Sequence, residues 1–386
     1  MVARWYERII SPPKGSFFLF GLRGTGKSTW IRRHFPKAHV VDLLDEYRFQ
    51  ALAANPGQFA LELNDLPPQT TVILDEVQRV PALLNEVHRA IEGTRRRFVL
   101  VGSSARRLKT AGTNLLAGRA SVRTMYPLLP AELNDDFDLG RTLRFGSVPL
   151  VWHSEDPEGA LNAYVQLYVR EEIRAEAIVR NLPAFLRFLP VAAIFHGQVI
   201  NLAGLARDAA TARTTVDGYI GILQDTLLAT LLPGFEPQLR VRERKHPKLY
   251  WNDPGIVRAA KRYAGPVTSE ERGPLLEGFV FMLLRAHNEE SRLFDEIAYW
   301  APAQARQTEV DFLLRRGKDY LAIEVKSQSR YSTNLLSGLR AIAELPRIMR
   351  RILVYLGEQK LKTEDGIEVW PLRVFLDAVA EGRLWH

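Results

Sequence analysis

The chain has 386 residues, enough for two or three domains of roughly 100 to 200 residues each. Hydrophobic residues make up 46% and charged residues 25%, an ordinary globular composition, and no apolar run approaches the roughly 18 residues of a membrane span. The net charge of +8, from 52 Lys+Arg against 44 Asp+Glu, favours a polyanionic partner, although the basic clusters at 95–97 and 240–248 read first as solvated loops.

No cysteine is present, which excludes disulfides, thiol nucleophiles and Cys-ligated zinc and fits a reducing, cytoplasmic setting. The N-terminal MVARWYERII has no apolar core region and no small-residue cleavage site, so no secretory signal is expected. The eight histidines are scattered, with no HExxH pair, and no G-x-S-x-G nucleophile elbow occurs.

The first predicted element is the strand Phe17–Phe20. It runs directly into Gly21-Leu22-Arg23-Gly24-Thr25-Gly26-Lys27-Ser28, after which STWIRRHF reads as a helix. This is G-x4-G-K-S between a strand and a helix, the arrangement that turns backbone N–H groups inward around phosphates and adds the positive end of a helix dipole. Gly21, Arg23, Gly24, Thr25, Gly26, Lys27, Ser28 and Thr29 are the candidate ATP-binding residues. Lys27 is placed to reach the β- and γ-phosphates, and the Ser28 hydroxyl to ligate Mg²⁺.

A second strand, Thr71–Leu74, ends in Asp75-Glu76, with Asp75 placed to hold Mg²⁺ and Glu76 to polarise the attacking water. A third, Phe98–Val101, ends in Gly102-Ser103-Ser104. Ser104 reads either as a γ-phosphate sensor or as part of a simple turn. Three such strands interleaved with helices predict a doubly wound parallel sheet, with its ligand at the carboxyl ends of the strands.

In order, FGLRGTGKST, ILDEVQRVP, LVGSSARRL and LLAGRA resemble the motifs of a group of prokaryotic AAA+-type ATPases. Gln78 matches that family's glutamine, Ser103 and Ser104 its sensor, and Gly118-Arg119 its AGR segment. The resemblance implies a role for Arg119 as an arginine finger or phosphate sensor, for which Arg106 and Arg107 compete. An arginine acting in trans implies a ring or dimer, whereas one acting within its own chain suits a monomer.

From Leu128 the pattern becomes helical. Asn201 reads as the N-cap of a short helix, and Thr214-Thr215-Val216 opens a second with Val216, Tyr219 and Ile220 on one face. TLLATLLPGF and KLYWND follow as strands of a hairpin. Helix–turn–helix plus hairpin suggests a winged-helix module. Arg213, Thr214, Thr215 and the basic 240–248 segment then face either DNA backbone or a neighbouring domain.

The last signal is EVDFLLRRGKDYLAIEVKSQ, residues 309–328, a hairpin with a Gly-containing turn at 315–319. Period two puts Glu324 and Lys326 on one face and Ile323 and Val325 on the other, and a bend in the first strand would bring Asp311 to the same end. Upstream, Glu277 is embedded in the apolar helix GPLLEGFVFMLLRAH and calls for a partner. Glu277, Asp311 and Glu324 are candidate Mg²⁺ ligands, with Asp311, Glu324 and Lys326 as candidate catalytic groups.

This layout resembles the PD-(D/E)XK nuclease superfamily, with Val310 where that pattern has proline. Tyr299-Trp300, Glu309-Val310-Asp311-Phe312 and Glu324-Val325-Lys326 also match the C-terminal region that accompanies the same ATPase family. Two other readings stand beside cleavage: a metal-binding scaffold that does not cut, and a structural remnant in which Glu277 pairs with Lys326.

The expected architecture is α/β: an ATPase core over 1–127, a helical linker or lid over 128–195, a winged-helix-like region over 196–262, and a nuclease-like domain over 263–386. The expected activity is ATP hydrolysis coupled to Mg²⁺-dependent action on nucleic acid. The alternatives are an ATP-dependent signalling switch or adaptor whose last domain is an interaction platform, and a DNA-binding regulator. No membrane association is expected, and the sequence points to no particular partner protein.

Overall fold

The computed structural model describes residues 4–94, 96–104, 108, 115–169, 181–235, 246–302 and 308–386. Its N-terminal part is built on five parallel strands: β1 (Ser16–Gly21), β2 (His39–Asp42), β3 (Val72–Asp75), β4 (Phe98–Gly102) and β5 (Ala120–Met125). They lie in the order β2-β3-β4-β1-β5.

Central strands buried on both faces need apolar side chains at every position, and β1 shows how they divide. Phe17 and Leu19 pack with Trp30 and Ile31 of α1 (Lys27–His34) on one face. Phe18 and Phe20 pack with Leu52, Phe59 and Leu83 on the other. Those three belong to α2 (Glu46–Ala54), α3 (Gly57–Asp65) and α4 (Leu83–Thr94).

Three of the strands were legible as apolar runs. The edge strands were not: HVVD is partly exposed, and ASVRTM is exposed or half-buried except at Met125. Because all five run the same way, Gly21, Asp75 and Gly102 arrive at one edge of the sheet.

The middle region is helical, with α5 (Leu139–Phe145), α6 (Leu182–Ile194), α7 (Leu202–Asp208), α8 (Arg213–Asp225) and α9 (Pro254–Ala260). A small antiparallel sheet joins them: β6 (Gln198–Val199), β7 (Ala229–Leu232) and β8 (Lys248–Trp251), with β8 in the centre. The Asn201 side chain accepts from the Ala203 amide at 2.9 Å, capping α7, and Val216, Tyr219 and Ile220 are buried on α8. Residues 240–245 of the basic segment lie outside the described residues.

The C-terminal part begins with α10 (Ser269–Ser291), opened by a Thr268–Glu271 capping box. A six-stranded mixed sheet follows: β9 (Glu296–Trp300), β10 (Val310–Arg316), β11 (Asp319–Lys326), β12 (Ile348–Tyr355), β13 (Leu361–Lys362) and β14 (Glu368–Pro371). Its order is β13-β14-β12-β11-β10-β9, with β11–β12 and β12–β14 parallel. The chain closes with α11 (Leu372–Ala380).

One apolar core runs through the middle and C-terminal parts without a break, from Phe185 and Val216 through Tyr250 and Phe279 to Phe312 and Val354. Among the described residues no helix is long and apolar enough to cross a membrane.

Candidate functional site

Gly24 and Gly26 take φ of +79° and +88°, the left-handed region that turns the loop after β1 back on itself. Thr25 is fully buried, and its hydroxyl donates to the Leu22 carbonyl at 2.8 Å. The Lys27 ammonium folds back onto the loop, donating to the carbonyls of Gly21 at 2.6 Å and Leu22 at 3.1 Å. Ser28 Oγ lies 3.0 Å from Asp75 Oδ2. Burial pushes the Asp75 carboxyl up from its ordinary range, against the pull of the Ser28 hydroxyl and the Lys27 charge. Arg23 and Thr29 are exposed.

Glu76 sits in the left-handed region at φ 58°. Gln78 Nε2 donates both to the Glu76 carboxylate and to Ser103 Oγ, the latter at 3.1 Å. Glu76 and Ser103 are therefore joined through one buried amide. A Cβ on Gly102 would meet Gln78 Oε1 at 2.4 Å, so a side chain there would displace the Gln78 amide. Ser104 is fully buried at the same edge.

Arg119 does not join this group. It directly precedes Ala120, which pairs with Ser16, whereas Gly21 pairs with Met125 at the other end of the strand. Five residues of strand put it about 17 Å from the loop within its own chain, and its guanidinium ion-pairs with Glu92 at 2.5 Å. Arg106 and Arg107 lie outside the described residues.

The loop is held from behind by other segments. Arg8, 8% exposed, donates to the Thr25 carbonyl at 2.8 Å and ion-pairs with Glu132 at 3.0 Å. From the helical region, the Leu150 amide donates to the Gly24 carbonyl at 3.2 Å, and the Tyr164 hydroxyl to the Arg23 carbonyl at 3.1 Å. The residues before Leu150 are anchored by buried Asp253. Its carboxylate accepts from the Ser147 amide at 2.8 Å and caps α9 through the Ile256 amide at 3.0 Å. Burial pushes Asp253 up to about 6, so at neutral pH it is an anion held by backbone N–H groups.

Asp253 lies two residues beyond β8, and the other end of β8 enters the second cluster. There β10 and β11 pair antiparallel, and β10 shifts register against β9 between Val310 and Leu313, an irregularity beside Asp311. The Asp311 amide donates to Glu324 Oε2 at 3.3 Å, the Val325 amide to Asp311 Oδ2 at 2.9 Å, and Lys326 ion-pairs with Glu324 at 2.5 Å. Asp311, Glu324 and Lys326 are thus brought together.

Glu277 joins them, but its partner is not Lys326. It is Lys248, whose ammonium lies 3.0 Å from Glu277, 3.3 Å from Glu309 and 3.4 Å from Asp311. Burial works against the charge on Lys248, but Glu277, Asp311 and Glu309 outweigh it and raise its pKa. Burial likewise pushes Glu277 up to about 7, with Asp311 adding to it, and raises Glu324 well above the usual carboxylate range.

Sequence reasoning placed Lys248 in the basic 240–248 segment as a solvated loop or a face towards DNA or a neighbouring domain, whereas it is buried. It left Glu309 as a motif match without a role and gave none to Tyr250, whose hydroxyl donates to Glu277. The available signal was a lone Lys opening the apolar strand KLYW. Glu277 and Asp311, two of the three expected Mg²⁺ ligands, gather with Glu309 around the Lys248 ammonium, and among the described residues no group of three His, Cys, Asp or Glu is arranged to hold a metal ion.

Three family models match the chain in succession: an AAA domain over residues 14–134, a domain of unknown function (DUF8612) over 136–266, and another (DUF4143) over 272–375. Residues 14–134 form a P-loop AAA-type domain. Uncharacterized proteins of Mycobacterium bovis and of Mycobacterium tuberculosis are each 25% identical over 308 residues, 78% of this chain and 68% of theirs. A solved Walker-type ATPase of Pyrococcus abyssi is 13% identical, with a TM-score of 0.42 over 64% of this chain and 90% of that one.

Proposed function

We propose that the AAA domain binds and hydrolyses ATP and that its nucleotide state is relayed to the C-terminal domain. The observation that carries the first half is the Ser28–Asp75 contact of 3.0 Å beside the glycine loop. A hydroxyl and a carboxylate in contact at a P-loop fit the residues that would hold Mg²⁺, which supplies charge neutralisation at the β- and γ-phosphates.

The loop amides then cradle the phosphates, and Lys27 exchanges the Gly21 and Leu22 carbonyls for phosphate oxygens. Glu76, held by Gln78, orients the attacking water, and Ser103 and Ser104 report on the γ-phosphate. The relay is supported by Leu150 and Tyr164, which hold the carbonyls of Gly24 and Arg23 from the helical region. A shift of the loop on phosphate binding must move these contacts or break them.

The deciding experiment is equilibrium ATP binding and turnover by Lys27→Ala. We expect both to be lost; tight ATP binding in that variant would remove the reading.

A second reading, nucleic-acid cleavage by the C-terminal domain, is favoured by the contacts among Asp311, Glu324 and Lys326. Exposed Arg213 and Thr214 at the start of α8 offer DNA a surface. Against it, the donor set around Lys248 does not fit the Mg²⁺ that such chemistry uses. Loss of DNA or RNA cleavage in Glu324→Ala would support it.

A further inference from the structure

Lys248 is the first residue of β8, and its side chain is 1% exposed. Three carboxylates from two different elements converge on its ammonium: Glu277 from α10, with Glu309 and Asp311 from the run into β10. Other carboxylate oxygens of the cluster are engaged as well. Asp311 Oδ2 takes the Val325 amide, and Glu324 takes Lys326 and the Asp311 amide. Tyr299 adds its ring 5.6 Å from the ammonium.

A divalent cation here would need the same carboxylate oxygens and would meet a positive charge within contact distance. Nor is Lys248 on a loose segment. β8 is paired on both edges, with β6 and with β7, so its first residue cannot withdraw without breaking a ladder. The lysine also spans a module boundary, because β8 belongs to the middle region and the acids to the C-terminal part.

We infer that Lys248 is the resident cation of the acidic pocket, occupying the place of a divalent ion and pinning the middle region to the C-terminal sheet. The pocket is then complete without metal. Its carboxylates serve as an internal docking point for β8.

The test titrates Mn²⁺ alone into nucleotide-free protein, following free Mn²⁺ by electron paramagnetic resonance and stability by thermal melting. Wild type, Asp311→Asn, Lys248→Met and the double variant Lys248→Met/Asp311→Asn are compared. We expect wild type and Asp311→Asn to bind Mn²⁺ alike. Lys248→Met should gain a site roughly tenfold or more tighter than any in wild type, absent from the double variant. The same variant should melt lower and be partly restored by Mn²⁺.

An Mn²⁺ site in wild type that Asp311→Asn abolishes would overturn the inference, as would a folded Lys248→Met that gains none. If Lys248→Met does not fold, wild type against Asp311→Asn decides it. Should Asp311→Asn fail instead, Glu309→Gln, 45% exposed, takes its place. ATP binding at the P-loop is measured separately, so loss of the ATPase reading leaves this result standing.

Discussion

His196 shows how one side chain commits a junction. Its ring is fully buried, accepts the Trp251 amide at Nδ1 (3.0 Å) and donates from Nε2 to the Pro274 carbonyl (3.0 Å). The Nδ1 bond requires the neutral imidazole, because protonating Nδ1 expels the Trp251 N–H, whereas Nε2 donates in either state. Burial pushes its pKa down from 6.5 to about 3. The unfolded chain then takes up a proton below pH 6.5 that the folded chain refuses, so stability is full above that value and falls as the pH drops towards 3. Between pH 7 and pH 5 the wild type should lose about 2 kcal/mol that His196→Gln, already weaker, does not. Urea melts of both proteins at the two pH values measure the difference. The ring also explains Gly278, where a Cβ would meet it at 2.4 Å.

Among the elements, β8 is the one that reaches both clusters. It begins at Lys248 in the acidic pocket and ends two residues before Asp253, which anchors the segment that lies against the P-loop. Four residues of extended chain thus join the two clusters, a stiff connection of about 13 Å. Asp253→Asn keeps the size but replaces one acceptor oxygen with a donor facing the Ser147 amide. We expect it to lower stability by roughly 1–3 kcal/mol. It should also weaken ATP binding by a few-fold, because Val148 and Leu150 lose their footing against Gly24. Chemical denaturation and nucleotide titration of the one variant separate the two effects.

At the scale of the whole molecule, the parallel sheet decides which residues can cooperate within one chain. Lys27, Ser28, Asp75, Glu76, Gln78 and the serines after β4 share the carboxyl edge; Arg119 stands at the opposite edge with Glu92. Arg119→Ala should therefore leave ATP affinity within about twofold of wild type, since removing a partly exposed ion pair costs little. A tenfold loss of affinity at low protein concentration would place Arg119 in its own chain's site.

The sequence by itself determined the local chemistry. Glycines at positive φ, a lysine and a hydroxyl at fixed spacing, and an apolar run ending in acid are each short-range patterns, so the P-loop, the acidic strand, the α7 cap and the β10–β11 hairpin were legible. What lay beyond reach depended on separation along the chain. The edge strands β2 and β5 were hidden because an edge needs little burial and so leaves little apolar signal. Arg119 could be matched to a motif, but only the parallel pairing of β5 with β1 showed which end of the sheet it occupies. Glu277 announced that it needed a partner, yet Lys248 is 29 residues away on another element, and the one lysine the sequence offered for pairing was Lys326. Charge balance inside a core is a sum over whatever the fold brings within a few ångströms, so only the tertiary structure decided which cation sits in the pocket.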